Sequence, residues 1–187
     1  HLFGFFSVFN PDVIKDVKLY KGGIPARFGG RLSSVLDIYQ KEGNSKDFNV
    51  TGGIGLISSR LLVEGPIEKE KSSFVVAGRA SYAHLFLPLF DNDNKAYFYD
   101  LNGKFNYRIN NRNNIFLSTY FGKDVFGISD NFVNNYGNTV LNLRWNHLFT
   151  DKLFSNLSLI YSDYFYGLIL DFVGFEWDSG ITNYNLK

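Results

Sequence analysis

The segment spanning residues 21–31, KGGIPARFGGR, carries most of the information about the fold. Its four glycines and one proline keep it from being helical. Two short runs of alternating polar and apolar residues, 13–20 and 32–39, flank it on either side. Such alternation is typical of β-strands. The sequence therefore predicts two strands joined by a glycine-rich connection.

A polar linker, residues 41–47 (KEGNSKD), follows this unit, and from residue 48 the chain alternates with a period of two nearly to its end. The clearest case is 97–109, which has one aromatic and aliphatic face and one polar and charged face. Its length fits the ~9 to 11 residues of a tilted membrane strand better than the ~5 to 6 of an ordinary strand. About eight strands are predicted, at 48–56, 59–63, 74–85, 97–109, 115–124, 139–149, 153–166 and 180–187.

The composition favours a transmembrane β-barrel over a helical membrane protein. The mean hydropathy is −0.12 although 45% of the residues are hydrophobic, and the chain has 12 Tyr and 20 Phe. No segment approaches the ~18 uncharged apolar residues of a membrane helix. Strands that alternate between lipid and lumen average to near-neutral hydropathy and carry aromatics at the membrane interfaces. A soluble sandwich with its faces assigned to core and water is the competing interpretation.

The order of these signals resembles one known family. Residues 13–43 resemble the end of the plug domain of TonB-dependent outer-membrane receptors of the Bacteroidota type. The resemblance rests on the order of a strand, Lys21-Gly22, small residues, Phe28-Gly29-Gly30, a second strand and then Lys41-x-Gly43. In that family the plug is a small mixed domain inside a 22-stranded barrel, and the barrel begins directly after it. The resemblance implies that residues 1–43 are the C-terminal part of a plug and residues 44–187 the N-terminal part of a barrel. Residues 33–38, SSVLDI, depart from the commonest plug ending.

The resemblance also implies a function and a set of partners. Such a receptor binds a scarce nutrient at the cell surface, such as a siderophore, cobalamin, oligosaccharide or peptide. It admits the nutrient to the periplasm when TonB displaces the plug. The expected location is the outer membrane, and the expected partners are outer-membrane lipid, the nutrient and TonB, with a surface lipoprotein as a further candidate. The segment that contacts TonB would lie upstream, so we expect a piece of a longer polypeptide.

Two groups of charged residues are candidate site residues. Plug arginines near the position of Arg27 and Arg31 pair with acidic residues of the inner barrel wall in the resembled family, which implies a plug–barrel latch at these two residues. The alternative is that both are solvated turn residues. The polar sides of the predicted strands would form the wall of the barrel lumen. The alternative is that they form an outer face exposed to solvent. The residues on these polar sides include Arg79, Asp100, Lys104, Arg108, Asn142, Arg144 and Asn156.

The predicted connections alternate in length, which indicates a direction across the membrane. Segments 64–72, 110–114 and 150–152 are compact or charged, whereas 86–96, 125–138 and 167–178 are longer. Outer-membrane barrels have short periplasmic turns and long extracellular loops. We therefore expect the first set in the periplasm and the second set outside the cell.

Several function classes find no support in the sequence. A net charge of +1 gives no basic face for nucleic acid, and the absence of cysteine excludes a disulfide framework. His1, His84 and His147 lie far apart without metal-ligand spacing, and no catalytic set is apparent, so we expect no metal, no cofactor and no enzyme activity. The alternatives are a small autonomous barrel with a structural or adhesive role, a fixed part of a larger outer-membrane assembly, and a soluble glycan-binding module. An outer-membrane enzyme of barrel type is a further alternative, which the missing catalytic set disfavours.

Overall fold

The chain is mainly β, and its described strands form two antiparallel sheets. The computed structural model describes residues 7–29, 33–86, 94–129 and 131–187. The first sheet is a hairpin of β1 (Ile14–Tyr20) and β2 (Val35–Gln40). The second is an eight-stranded sheet in which each strand pairs with the next along the chain. Its strands are β3 (Asn49–Ile54), β4 (Ser58–Gly65), β5 (Ser72–Ser81), β6 (Lys95–Asn110), β7 (Asn113–Ile128), β8 (Phe132–Thr150), β9 (Leu153–Leu170) and β10 (Phe175–Leu186).

The pairing register separates the eight-stranded sheet into two faces of different chemistry. Along one row of paired positions lie Ser73, Asn106, Phe116, Arg144 and Ser158, and this side is called the polar face. The opposite side, the apolar face, carries aliphatic residues in the middle of the strands. Its exposed members are Leu61, Val76, Leu101, Leu117, Leu141, Leu143, Leu157 and Leu159. Because side chains alternate along a strand, the period of two seen in the sequence produces this separation directly.

The core of the molecule lies where the segment before the hairpin covers the polar face. Residues Pro11–Val13 form a single turn of 3-10 helix, and Val13 packs in a cluster with Leu62, Val75 and Ala77. All four are at most 4% exposed. The polar face of β4 and β5 is therefore apolar at this one place, where it receives Val13.

The structure corrects two connections that were predicted as long loops. Residues 125–138 and 167–178 are mostly strand, because β7 extends to Ile128, β8 starts at Phe132, β9 extends to Leu170 and β10 starts at Phe175. The ladders continue through these stretches from Val125 paired with Asn135 to Ile128 paired with Phe132, and from Gly167 paired with Asp178 to Leu170 paired with Phe175. Strand propensity depends on the neighbouring strands, and here it overrides the loop-like composition.

The prediction of loop lengths that alternate between the two ends of the sheet is therefore wrong at two of its three long loops. Only three residues (129–131) separate β7 from β8 and four (171–174) separate β9 from β10, against two residues each at 111–112 and 151–152 at the other end of the strands. The third long segment, 86–96, lies largely outside the described residues. Among the helices within the described ranges, none has the length and apolar character needed to cross a membrane.

Candidate functional site

The candidate site is the interface between the polar face of the sheet and residues 7–45, and its centre is a buried ion pair. Arg79 on β5 and Asp100 on β6 are directly paired in register. Arg79 Nε and Nη2 lie 2.8 and 2.7 Å from Asp100 Oδ2. The Asp100 side chain is 0% exposed and that of Arg79 10%, and Asn102 Nδ2 donates to Asp100 Oδ1 at 3.1 Å. A pair this buried, with further hydrogen bonds to the carboxylate, has a fixed geometry.

The same guanidinium group holds the start of the described chain against the sheet. Arg79 Nη2 donates to the carbonyl oxygens of Ser7 at 3.0 Å and of Val8 at 3.4 Å. Asp100 neutralises and orients Arg79, and Nη2 of the same guanidinium group also contacts the backbone of residues 7–8. The interface at this place recognises a backbone rather than a side chain.

A second ion pair lies on the neighbouring strand. Arg60 Nη1 on β4 donates to Asp12 Oδ1 at 2.5 Å, and the side chain of Asp12 is 15% exposed. Asp12 is positioned by the 3-10 turn, because its backbone N–H donates to Oδ1 of the buried Asn10 at 3.0 Å. Arg60 and Asp12 were not among the site residues predicted from the sequence. The signal that could have placed Arg60 on the polar face is the period of two along β4, which puts Arg60 on the side opposite Leu61 and Val63.

The linker after the hairpin is attached to the sheet through its backbone. Lys104 Nζ donates to the Gln40 carbonyl at 3.3 Å, Ser73 Oγ donates to the Glu42 carbonyl at 2.7 Å, and the Glu70 N–H donates to the Ser45 carbonyl at 2.9 Å. Gly43 lies between these contacts with a φ of +82°. A Cβ at Gly43 would stand 2.3 Å from the Phe74 carbonyl oxygen, so only glycine allows this close approach of linker and strand.

The residues predicted to form a lumen wall share one face, as the register shows. Arg79, Asp100, Lys104, Arg108 and Arg144 all lie on the polar face, and so do Asn142 and Asn156. Arg79, Asp100 and Lys104 contact one another or the covering segment as described above. Arg108 donates to the carbonyl of Glu70, in the turn before β5.

The two arginines predicted to form a latch have different outcomes. Arg27 lies in the connection of the hairpin, where its Nη2 is 3.4 Å from both Asp37 Oδ2 and the hydroxyl oxygen of Tyr20. Its side chain is 57% exposed, so these contacts tie the hairpin to itself. Arg31 lies outside the described residues. The arginines that join the hairpin unit to the sheet are Arg60 and Arg79, which belong to the sheet.

The turn between β4 and β5 carries a cation beside the linker. Lys71 Nζ donates to Glu68 Oε1 at 3.0 Å. Hydrogen bonds to Glu68 and then to Tyr107 raise the pKa of Lys71 above its ordinary value.

The chemistry of the interface is that of a docking surface. Within the described part of the chain, no three His, Cys, Asp or Glu residues come together in a group that could hold a metal ion. Searches of protein-family models, curated proteins and solved structures gave no match to this chain. The arrangement consists of basic groups on a β-sheet that hold the backbone and two carboxylates, those of Asp12 and Glu42, of a preceding segment.

Proposed function

We propose that the chain belongs to a TonB-dependent outer-membrane receptor that imports a scarce nutrient into the periplasm. Residues up to 43 would be the end of its plug, and β3 to β10 would be a part of its barrel wall. The observation that carries the proposal is the two-sidedness of the sheet. Its polar face holds the preceding segment through Arg79 and Arg60, while its other face leaves a band of aliphatic side chains uncovered.

The exposed aliphatic band supports a lipid environment for the apolar face. Leu101, Leu141, Leu143 and Leu159 are between 43 and 59% exposed, although they sit in the middle of long strands. A soluble protein rarely leaves so extended an apolar surface open to water. A bilayer covers such a band on a transmembrane barrel, and the polar face then lines the interior.

Strand length supports the same proposal. β6 and β7 have 16 residues each, β8 has 19 and β9 has 18. These lengths exceed the ~9 to 11 residues needed to cross a bilayer, so the strands would extend beyond the membrane on at least one side. All twelve residues of β10 are exposed, and further strands pairing with this edge would close the sheet as a membrane requires.

The polar attachment of the hairpin unit supports displacement as its mode of action. Two arginines, one lysine and one serine hold residues 7–45 to the sheet, and among the described residues Val13 is the one member of the buried apolar cluster that comes from that segment. Water can replace the hydrogen bonds to these polar groups one by one when the segment leaves the sheet. A segment held in this way can act as a removable obstruction.

A matched pair of cysteine variants tests the assignment of the two faces. This stretch contains no cysteine, so Leu141→Cys and Asn142→Cys place single thiols on adjacent residues of β8 that face opposite sides. In intact outer membranes of cells that express the full-length protein, we expect a small charged thiol reagent to modify Asn142→Cys much faster than Leu141→Cys. Equal modification at both positions in the membrane would contradict a lipid-facing apolar face.

The same variant tests plug displacement. Modification of Asn142→Cys should accelerate in energised cells that contain the TonB complex relative to cells that lack it. An equal rate in the two strains would favour a barrel that is a fixed part of a larger assembly.

A further inference from the structure

A cavity of about 470 Å³ lies between the hairpin and the polar face of β6 to β8. Lys15, Gln40 and Glu42 line it from the hairpin side, and Lys104 and Arg144 line it from the sheet. The cavity is separate from the contacts of Arg79 and Arg60 that hold residues 7–13. The cavity is therefore a second site in the interface between the polar face and residues 7–45, which is called the seam.

Two cations of the sheet are held beside one aromatic ring in this cavity. Arg144 Cζ lies 4.3 Å and Lys104 Nζ 5.9 Å from the centroid of Phe116. Lys15 of the hairpin is close enough to act on Lys104 electrostatically, and so is Arg144. Three like charges around one cavity repel each other unless an anion lies among them.

The carboxylates at the cavity compensate these charges only in part. Glu42 Oε1 is 3.9 Å from Lys104 Nζ, and the Glu42 side chain is 50% exposed. Asp37 already accepts from the Tyr39 hydroxyl at 2.9 Å and pairs with Arg27 at 3.4 Å. The cavity therefore keeps an excess of positive charge on its sheet side.

Unused hydrogen-bonding capacity is concentrated at the same place. Arg144 Nε is buried and has no hydrogen-bond partner among the described residues, and the same holds for Oδ1 of Asn142. Asn142 lines the same cavity, two residues from Arg144 along β8 and on the same polar face. A buried guanidinium nitrogen without a partner is costly, and native sites usually fill such a place with a ligand or water.

We propose that this cavity binds a small oxyanion, either phosphate or a carboxylate, between Lys104 and Arg144 of the sheet and Lys15 of the hairpin. Arg and Lys are the side chains that recognise these groups, and Arg does so with parallel hydrogen bonds. The Asn142 amide can rotate to offer its NH₂ group to one of the remaining oxygens. The anion contacts both sides of the seam, so it binds the docked state preferentially and stabilises it.

The test is anion binding by the purified full-length protein in detergent, with inorganic phosphate and succinate as probes. Calorimetric titration and thermal unfolding are carried out at constant ionic strength set with NaCl. We expect saturable binding of at least one probe and a matching rise in unfolding temperature. Lys104→Gln and Arg144→Gln should each weaken binding about tenfold or more, since each removes a charged donor. Arg112→Gln, in an exposed turn away from the cavity, is the matched control and should bind as the parent does.

Each outcome bears on the proposal. Binding of phosphate alone or of succinate alone supports it and identifies the group that is recognised. A temperature rise that is equal in the parent, Lys104→Gln and Arg144→Gln overturns it, and so does the absence of binding by both probes. If either sheet variant does not fold, Lys15→Gln replaces it, because Lys15 is exposed on the hairpin and its loss should still weaken binding. The measurement does not depend on transport, so failure of the anion site and failure of the receptor proposal are distinguishable.

Discussion

The strands near the start of the sheet and those near its end have the same alternating pattern but different surroundings. On β5 and β6, polar-face residues such as Ser73, Asp100 and Asn102 are at most 5% exposed. On β9, Gly167 is the only buried residue, and β10 is exposed throughout. The difference comes from residues 7–13 and 40–45, which contact the polar face of β4, β5 and β6.

Alternation specifies which face of the sheet a residue occupies, whereas its burial depends on what lies on that face. The Asp100 side chain is fully buried where Arg79 pairs with it and the backbone of residues 7–8 contacts Arg79. Asn183 and Asn185 on β10 occupy the same side of the sheet and remain exposed. Energetic effects of substitutions should therefore be large under the covering segment and small at the far edge.

The largest effect is expected for Arg79→Ala. The substitution leaves Asp100 as a buried carboxylate without its cation, which typically costs about 3 to 5 kcal/mol in the free energy of unfolding. Denaturant unfolding of the full-length protein in detergent measures this cost, and Arg112→Ala in the exposed turn is the control, with an expected change within about 0.5 kcal/mol. The double variant Arg79→Ala/Asp100→Ala should lose less than the two single variants added together, because it removes both charges. A loss for Arg79→Ala no larger than for the control would refute the buried-pair interpretation.

The face of each charged residue could be predicted from the sequence, but the partner could not. Arg79 and Asp100 were both assigned to one wall by the period of two. Their pairing depends on the register of β5 against β6, and residues 82–94 between these strands contain no signal that sets it. Arg27 was predicted to reach the sheet, but Asp37 on the adjacent strand of the same hairpin gives it a nearer partner.

Strand ends were predicted less well than strand centres, for a related reason. The stretch at 132–138, FVNNYGN, has the asparagines and glycine of a loop, yet every residue in it is paired with β7. In a sheet, the backbone of such residues is satisfied by the neighbouring strands on both sides. Local composition therefore indicates where a chain is able to turn, whereas backbone pairing with the neighbouring strands determines where it turns.

The second largest effect is expected at Gly43, where the linker contacts the covered strands. Gly43→Ala combines a left-handed φ of +82° with a Cβ placed 2.3 Å from the Phe74 carbonyl oxygen. Left-handed backbone alone costs a non-glycine residue about 1 to 2 kcal/mol, and the clash adds to this by forcing the linker away from β5. We expect faster limited proteolysis of residues 41–47 and a lower unfolding midpoint.

Two other glycines of the hairpin separate these contributions. Gly23 has a φ of +59° but open space around it, and Gly22 has open space without a positive φ. The losses of stability should therefore decrease in the order Gly43→Ala, Gly23→Ala, Gly22→Ala. Equal losses at Gly43 and Gly23 would show that the close approach of the linker to β5 contributes nothing.

The smallest effect is expected for the two partly exposed ion pairs, Arg60–Asp12 and Arg27–Asp37. Their comparison tests which arginine holds residues 7–45 to the sheet. Arg60 is 49% exposed, so Asp12→Ala should cost only about 1 kcal/mol or less. Arg27→Ala removes a more exposed contact within the hairpin and should cost less still. If residues 7–45 obstruct a barrel, Asp12→Ala should raise the passive leak of a small antibiotic through the full-length protein, since it loosens the segment from the wall. Arg27→Ala should leave the leak close to that of the parent at equal expression, because Arg27 does not hold the segment to the sheet. A larger leak for Arg27→Ala than for Asp12→Ala would indicate that Arg27, and not the Arg60–Asp12 ion pair, holds the segment to the barrel wall.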